Sequence, residues 1–534
     1  MHDKNRDIIN IVERDASGKR VFLEKNAEYG FYYADPKGKF TSIHGDKLSR
    51  FQTDSKRLFN KEKKIHGYKK IFESDMNLIF KCLADNYKDA DSAVLNVGFF
   101  DIEVEKVKDR GWAPVSDPFA RITAISFHPK WLNQTICLVV APDEMTFEEA
   151  TEICDSIENC FLMDDEVQML HAFIELIDDA DILSGWNSEG FDIPYLVNRI
   201  ARVLGKSYLR NLCLWNQYPE RRMVMKFDKE EETFDLVGRV HLDYMALYKK
   251  YTYSVMHSYS LDSISAHELK SQKVPYDGTL DQLYNNDFKK FILYSIQDTA
   301  LLRQLDDKLQ YIELVNMIAH ANTVKMQTVL GSVAQIDQAI ANEAHGRGLI
   351  VPDKRRGQIS PKAAGAYVAH PKVGLHDWAA SIDLSSLYPS ILRACNMSPE
   401  TIVAQVRQDL TAAMIESFRT PRTKEDNHVP RAWEGKFACV EYDLIMAQDK
   451  ETILHLDYDD GRVEELTGAQ IYRMIFAENR PWIMSSNCTI FTTEKEGVVP
   501  SLLSRWYFER QELQAKKGKW SDLVEGITIP DRLL

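Results

Sequence analysis

Eleven residues constrain this chain more than any other stretch. Ser381-Ile382-Asp383-Leu384-Ser385-Ser386-Leu387-Tyr388-Pro389-Ser390-Ile391 reads as an apolar strand ending at Asp383, then a turn that opens a helix near Leu387. Three acidic segments precede it: Asp101-Ile102-Glu103, the run from Asn187 to Pro194 that holds Asp192, and Tyr294-Ser295-Ile296-Gln297-Asp298. Each sits where one periodicity gives way to another, so the fold has to bring acids from strands and helices together. No further carboxylate motif of the Asp383 type follows within the sequence.

A length of 534 residues points to about three or four domains. The net charge of −14 argues against a protein that coats nucleic acid, which normally carries basic surface. Acids neutralised by bound cations, with basic residues confined to a track, escape that argument. The eight cysteines, at 82, 137, 154, 160, 213, 395, 439 and 488, form no C-x-x-C pair and read as buried thiols of a reducing compartment. The polar N-terminus and the absence of an 18-residue apolar run lead us to expect a soluble, cytosolic protein with no membrane partner.

Residues 1–97 look strand-like and polar, with a basic stretch from Lys61 to Lys70 that is either a solvated face or a nucleic-acid track. The apolar run Val94 to Ile102 predicts a buried strand delivering Asp101 and Glu103, and 121–141 alternate as further strands. Helical periodicity follows at 165–180, 193–204 and 287–310, then in a long stretch over 312–345 closed by Gly346-Arg347-Gly348. Strands are expected again at 366–369 and 379–383, an insertion or subdomain over 404–480, and an amphipathic basic helix from Pro500 to Lys519. The fold class is therefore α/β and multidomain.

Taken singly, each acidic segment has a bland reading. Asp101 and Glu103 share one face of a strand and could hold a cation between them, or be surface charge. Asp192 and Pro194 fall in the first turn of a helix, where a carboxylate serves as a cap. Tyr294 and Asp298 stand one turn apart on a helix, so the phenol can orient a water beside the carboxylate. The ordered set D-x-E, N-x-x-x-F-D-x-P, Y-x-x-x-D resembles DnaQ-like 3′–5′ proofreading exonucleases, and in its wording the exonuclease domain of family B DNA polymerases. That resemblance implies an RNase H-like domain in which Asp101, Glu103, Asp192 and Asp298 hold two Mg²⁺ or Mn²⁺ ions, with Asn187, Phe191 and Lys273 contacting DNA.

The segment around Asp383 is similar to motif A of family B polymerases. The resemblance implies that Asp383 binds both polymerase metals, that backbone at Ser386 and Leu387 meets the triphosphate, and that Tyr388 stacks under the sugar and excludes a 2′-hydroxyl. Asn396-Met397-Ser398-Pro399-Glu400-Thr401-Ile402, Lys273-Val274-Pro275-Tyr276-Asp277-Gly278 and Gly497-Val498-Val499-Pro500 sharpen the likeness to the polymerases of T4-like bacteriophages. The resemblance is weak before residue 95 and across 404–480.

By this likeness the expected domains are an N-terminal mixed α/β domain (1–97), the exonuclease (98–325), a connecting helix with the return of the N-terminal domain (326–378), the first part of palm with an insertion (379–499), and the root of the fingers with a tail (500–534). Two motifs of the family are missing from the sequence: K-x-x-x-N-S-x-Y-G of the fingers, and the palm Y-G-D-T-D with the second metal-binding aspartate. Two-metal transfer needs carboxylates from separate elements to hold cations roughly 3.5–4 Å apart. His455-Leu456-Asp457-Tyr458-Asp459-Asp460-Gly461 is a D-x-D decoy, read as a turn with solvated acids.

We therefore expect the N-terminal piece of a phage polymerase encoded in two parts, acting in the host cytoplasm. Its partners would be primer-template and single-stranded DNA, dNTP, two further metal ions in the completed polymerase site, a second chain with the missing motifs, and through that chain a sliding clamp. A stand-alone exonuclease with a relic motif, and a non-catalytic DNA- or RNA-binding protein, are the alternatives.

Overall fold

The computed structural model describes residues 1–67, 70–226, 229–271, 273–354, 372–384, 386–408, 440–478 and 480–525. Two compact units emerge: Met1–Tyr29 with Gln52–Glu62 and Met76–Gln338, and Gly30–Phe51 with Lys63–Asp75 and Ala339–Leu534.

The first unit is organised by a six-stranded mixed sheet. In chain order its strands are β1 (Val97–Val104), β2 (Ile122–Pro129), β3 (Ile136–Val140), β4 (Cys160–Met163), β5 (Ile182–Gly185) and β6 (Val240–Asp243), and across the sheet they run β4-β3-β2-β1-β5-β6. β1 is antiparallel to β2 and parallel to β5. It is central, with both faces covered, which is why its sequence is a nearly unbroken apolar run.

Alternation along β1 decides where its acids go. Phe100, Ile102 and Val104 enter a core with Phe173, Ile193 and Ile200 on one face. Phe99 enters the opposite core with Leu301 and Leu302 of the long helix Phe288–Leu309. Asp101 and Glu103 continue the Phe99 row, toward that helix. Ser126 of β2, the register partner of Asp101, donates to the Ser295 carbonyl at 2.9 Å and pins the helix at the same level.

A buried ion pair holds the other face. Arg199, on the helix Asp192–Val203, meets Glu166 of the helix Glu166–Leu176 with Nε to Oε1 at 2.8 Å and Nη2 to Oε2 at 2.6 Å. Glu166 also accepts the Ile122 N–H at 2.8 Å, and Arg199 donates to the Pro118 carbonyl at 2.9 Å. Each guanidinium nitrogen and each carboxylate oxygen of the pair thus has a partner, the condition for tolerating buried charge.

The expected 312–345 helix is two helices, Tyr311–Asn322 and Ser332–Gly346, parted by Thr323 at φ 53° and a 3-10 turn at Met326–Leu330. The stop at Gly346 is as the sequence suggested. An antiparallel sheet of His2–Asp3, Ile8–Arg14 and Arg20–Asn26 packs Ile9 against Leu78 and Cys82 of the helix Leu78–Tyr87.

In the second unit Leu349–Ile350 pairs in parallel with Phe40–Ser42, so the chain returns after the helices to a sheet begun far upstream. Within the 404–480 region and just beyond it, β7 (Ile402–Arg407), β8 (Ile453–Tyr458), β9 (Val463–Thr467), β10 (Trp482–Met484) and β11 (Thr489–Thr492) form a second sheet in the order β9-β8-β7-β11-β10. The D-x-D decoy ends β8 and forms its turn, where Gly461 adopts φ 88°, Asp457 pairs with Arg407 and Asp460 with Arg462.

One expectation is corrected. Residues 379–384 form no strand, and Ile382 is 89% exposed. Strand geometry is stable only when a neighbour takes up the backbone hydrogen bonds, and among the described residues none pairs there. Residues 366–369, Cys439 and Ser385 lie outside the described residues, as do 409–439 of the expected insertion and 526–534 of the tail.

Replacing Arg199 by Ala would leave Glu166 ionised, buried and short of its main partner. We expect a loss of about 3–5 kcal/mol, read as a lower denaturation midpoint at unchanged slope. A loss below about 1 kcal/mol, as for exposed pairs, would show that the pair does not hold the helix face.

Candidate metal centre

Asp101, Glu103 and Asp298 each offer a carboxylate oxygen, and these oxygens lie within 4.8 Å of one another. The first two come from β1 and the third from the helix Phe288–Leu309, named α1 from here. Glu103 and Asp298 are buried. Asp298 Oδ2 pairs with Lys273, whereas Oδ1 is buried with no hydrogen-bond partner. An orphaned carboxylate oxygen in the interior is costly, and a cation relieves that cost. The donors are all oxygens, the preference of hard divalent ions such as Mg²⁺ and Mn²⁺, so the residues present fit the expected metals.

Asp192 begins the helix Asp192–Val203 and is buried beside this group. Its Oδ1 accepts the Ile102 N–H at 3.3 Å, and its charge bears on Asp101, but it stands outside the 4.8 Å set. Lys273 Nζ donates to the Tyr294 hydroxyl at 2.9 Å while pairing with Asp298, so the two α1 residues one turn apart share a single ammonium. Tyr276, which our reading of the sequence did not single out, sets its ring perpendicular to Tyr294 at 5.3 Å. Phe191 precedes the Asp192 helix and packs on Tyr195 at 5.4 Å. Asn187 sits at φ 60° in a tight turn. Gly185 is required there, since a Cβ would come within 2.7 Å of the Ser188 Cβ and 3.0 Å of the Phe100 carbonyl oxygen.

Burial, then repulsion from Asp298, pushes Glu103 up to about 8. Burial likewise lifts Asp192 to about 7, against the opposing pull of backbone N–H groups. Asp101 is raised by burial and by Glu103 and Asp192, and Asp298 by burial despite Lys273. Burial would lower Lys273, but Asp298 and Tyr294 outweigh it and keep the ammonium charged. Burial and Asp298 raise the Tyr294 phenol, which therefore keeps its proton.

The Asp383 segment is arranged differently. Asp383 is exposed, and among the described residues no metal-ligating cluster includes it. Ser386 turns the chain at φ 54° into the helix Leu387–Ala394, here α2, whose first residues Leu387 and Tyr388 are 41% and 68% exposed. The long helix Val498–Glu525, α3, packs on α2: Arg393 donates to Ser504 Oγ at 3.0 Å and lies over the Tyr507 ring at 4.5 Å. Arg510 of α3 reaches Ser386 Oγ at 3.4 Å, a cation beside this turn that the sequence showed only as part of a basic helix. Glu400 and Asn396 cap the start of α3 by accepting the Val498 and Gly497 N–H groups at 2.6 and 2.9 Å. Two segments a hundred residues apart that carried the family likeness are thereby one structural joint.

Acids raised by burial hold extra protons in the folded, metal-free protein. Their stabilisation is full below the ordinary carboxylate range and fades as pH climbs to about 8, the Glu103 value. Divalent ions bind the ionised form and compete with those protons. Millimolar Mg²⁺ should therefore raise the melting temperature of the chain more at about pH 8.5 than at about pH 6. An equal rise at both values, measured by calorimetry, would count against metal binding at these acids.

Comparison with known proteins agrees with this arrangement. Residues 50–264 match the family model for the DNA polymerase family B exonuclease domain, and residues 323–525 that for DNA polymerase family B. The chain is 30% identical over 272 residues to the DNA-directed DNA polymerase of Enterobacteria phage T4, covering 51% of this chain and 30% of that protein. It is 34% identical over 261 residues to that of Escherichia phage RB69, covering 48% of this chain and 28% of the relative. With the DNA polymerase delta catalytic subunit of Bos taurus it shares 27% over 410 residues, 72% of this chain and 35% of the relative. The matched stretch is thus less than a third of either phage protein. With an acid-lined mixed sheet under one family model and the Asp383 segment under the other, the chain belongs to DNA polymerase family B.

Proposed function

We propose that the buried acids form a 3′–5′ proofreading exonuclease site acting on the 3′ end of single-stranded DNA. The observation that carries this reading is the convergence of Asp101, Glu103 and Asp298 oxygens within 4.8 Å, with Asp298 Oδ1 buried and without a hydrogen-bond partner. Asp101, Glu103, Asp192 and Asp298 would hold two Mg²⁺ or Mn²⁺ ions. Such ions, when bound, supply positive charge to the oxygens that attack and leave in phosphodiester hydrolysis. The protonated Tyr294 phenol offers a hydrogen bond that orients the attacking water. Lys273 fixes that phenol and Asp298 in one geometry, and Asn187 and Phe191 flank the turn that receives the terminal nucleotide.

In the second unit, Asp383, Ser386, Leu387 and Tyr388 are the motif A part of a replicative polymerase site for dNTP and primer-template. DNA synthesis then needs a polypeptide bearing the K-x-x-x-N-S-x-Y-G and D-T-D motifs, which in this reading is a second polymerase chain and the contact to a sliding clamp. The exposure of Leu384, Tyr388, Phe508 and Leu513 around α2 and α3 supports such a cover. The likeness to phage DNA polymerases supports action in a host cytoplasm; no helix among the described residues is long and apolar enough to cross a membrane.

The chain should degrade single-stranded DNA from its 3′ end with Mg²⁺ or Mn²⁺. Asp101→Ala with Glu103→Ala should lower this by about 10³-fold or more, and Tyr294→Phe by roughly 10-fold to 10³-fold. Near-normal activity in a folded double mutant would sink the assignment. Mixed with a chain carrying the two missing motifs, the protein should extend a primer, and Asp383→Ala should remove extension while sparing hydrolysis. Extension by the purified chain alone would refute the need for a second carboxylate motif.

A further inference from the structure

We propose that Asp243 is a positioning residue of the exonuclease site: its carboxylate sets the Asn187 turn, and so governs how a DNA 3′ end is bound rather than how its bond is cut. This rests on the exonuclease reading above. Asp243 ends β6 and is the register partner of Gly185, which ends β5. The turn leaving β5 therefore starts alongside this side chain, and the carboxylate, only 6% exposed, sits under it.

Four backbone N–H groups converge on its two oxygens. Oδ1 accepts from Asn187 at 3.1 Å, Met245 at 2.9 Å and Ala246 at 3.3 Å, and Oδ2 accepts from Glu189 at 3.2 Å. One carboxylate thus caps the helix Tyr244–Tyr251 and grips the Asn187 turn from two sides. His241 acts from the same face of β6, its Nε2 lying 2.8 Å from Ser188 Oγ. Burial lowers His241 to about 3, so a neutral ring makes that bond. On the turn's other flank the Trp186 indole donates to the Tyr259 carbonyl at 3.0 Å.

Asn187 pays for a left-handed backbone here, and an acceptor on its own N–H and another two residues on oppose its relaxation. An amide cannot replace the carboxylate at this position. Asparagine has one acceptor oxygen, and its NH₂ would face an N–H donor, Glu189 or the cap. None of these atoms belongs to the acid group that meets the metals.

The test is steady-state hydrolysis of a single-stranded oligonucleotide by the full chain. Asp243→Asn is expected to raise KM about 10-fold and to leave kcat within about threefold, as loss of binding geometry requires. Asn187→Ala should do the same, and the double variant should be no worse than Asn187→Ala alone, since both act through one turn. Multiplicative effects, or a fall in kcat at unchanged KM, would overturn the proposal. Should Asp243→Asn fail to fold, His241→Ala releases Ser188 from the same turn and is judged by the same criteria. Absence of hydrolysis by the wild-type chain would instead overturn the exonuclease reading itself.

Discussion

Crowding of like charge is the constraint on which the first unit is built. Asp101, Glu103, Asp192 and Asp298 are brought into one buried neighbourhood with Lys273 as the nearby ammonium. Left to themselves such groups would separate or take up protons. They stay together because each is fixed to an element that cannot yield. β1 is locked between two strands, α1 is pinned through Ser126, and the Asp192 helix is clamped by Arg199 and Glu166. The surroundings hold these acids close at the cost of raised proton affinity, a cost that a divalent cation would relieve.

The same logic explains why the two acidic regions of the chain look unlike each other. The clustered acids of the first unit arise from segments that all belong to that unit, so folding it completes their group. Asp383 belongs to a segment with no strand neighbour among the described residues, and its surroundings are solvent. What is formed in the second unit is the scaffold: α2 clasped to α3 through Arg393, and the start of α3 capped by Glu400 and Asn396. The turn at Ser386 is held on one side by Arg510 of α3, with Leu387 and Tyr388 exposed beyond it.

The long α1 shows how much of this was legible beforehand. Its helical apolar periodicity gave away the helix, and the one-turn spacing of Tyr294 and Asp298 gave away a shared face. Neither revealed that Lys273, from a loop, would join both side chains. The strand at 379–383 is the opposite case. Its apolar alternation satisfied the local criterion for a strand, yet pairing is a property of two segments and not of one.

By itself the sequence determined the local periods, the strand-to-helix switches and the residue types at each switch. These suffice for the interleaved α/β character, the D-x-E face of β1, the helix stop at Gly346 and the family likeness, because all depend on neighbours within a few residues. Only the tertiary structure decided which carboxylates share a space, that Asp192 turns toward the Ile102 N–H and stands outside the close set, and that Asp243 reaches back to hold the Asn187 turn. Arg510 at Ser386 likewise lies 124 positions from its contact. Those facts rest on distances between segments remote in the chain, fixed by burial and by the packing of whole elements, which no local pattern encodes.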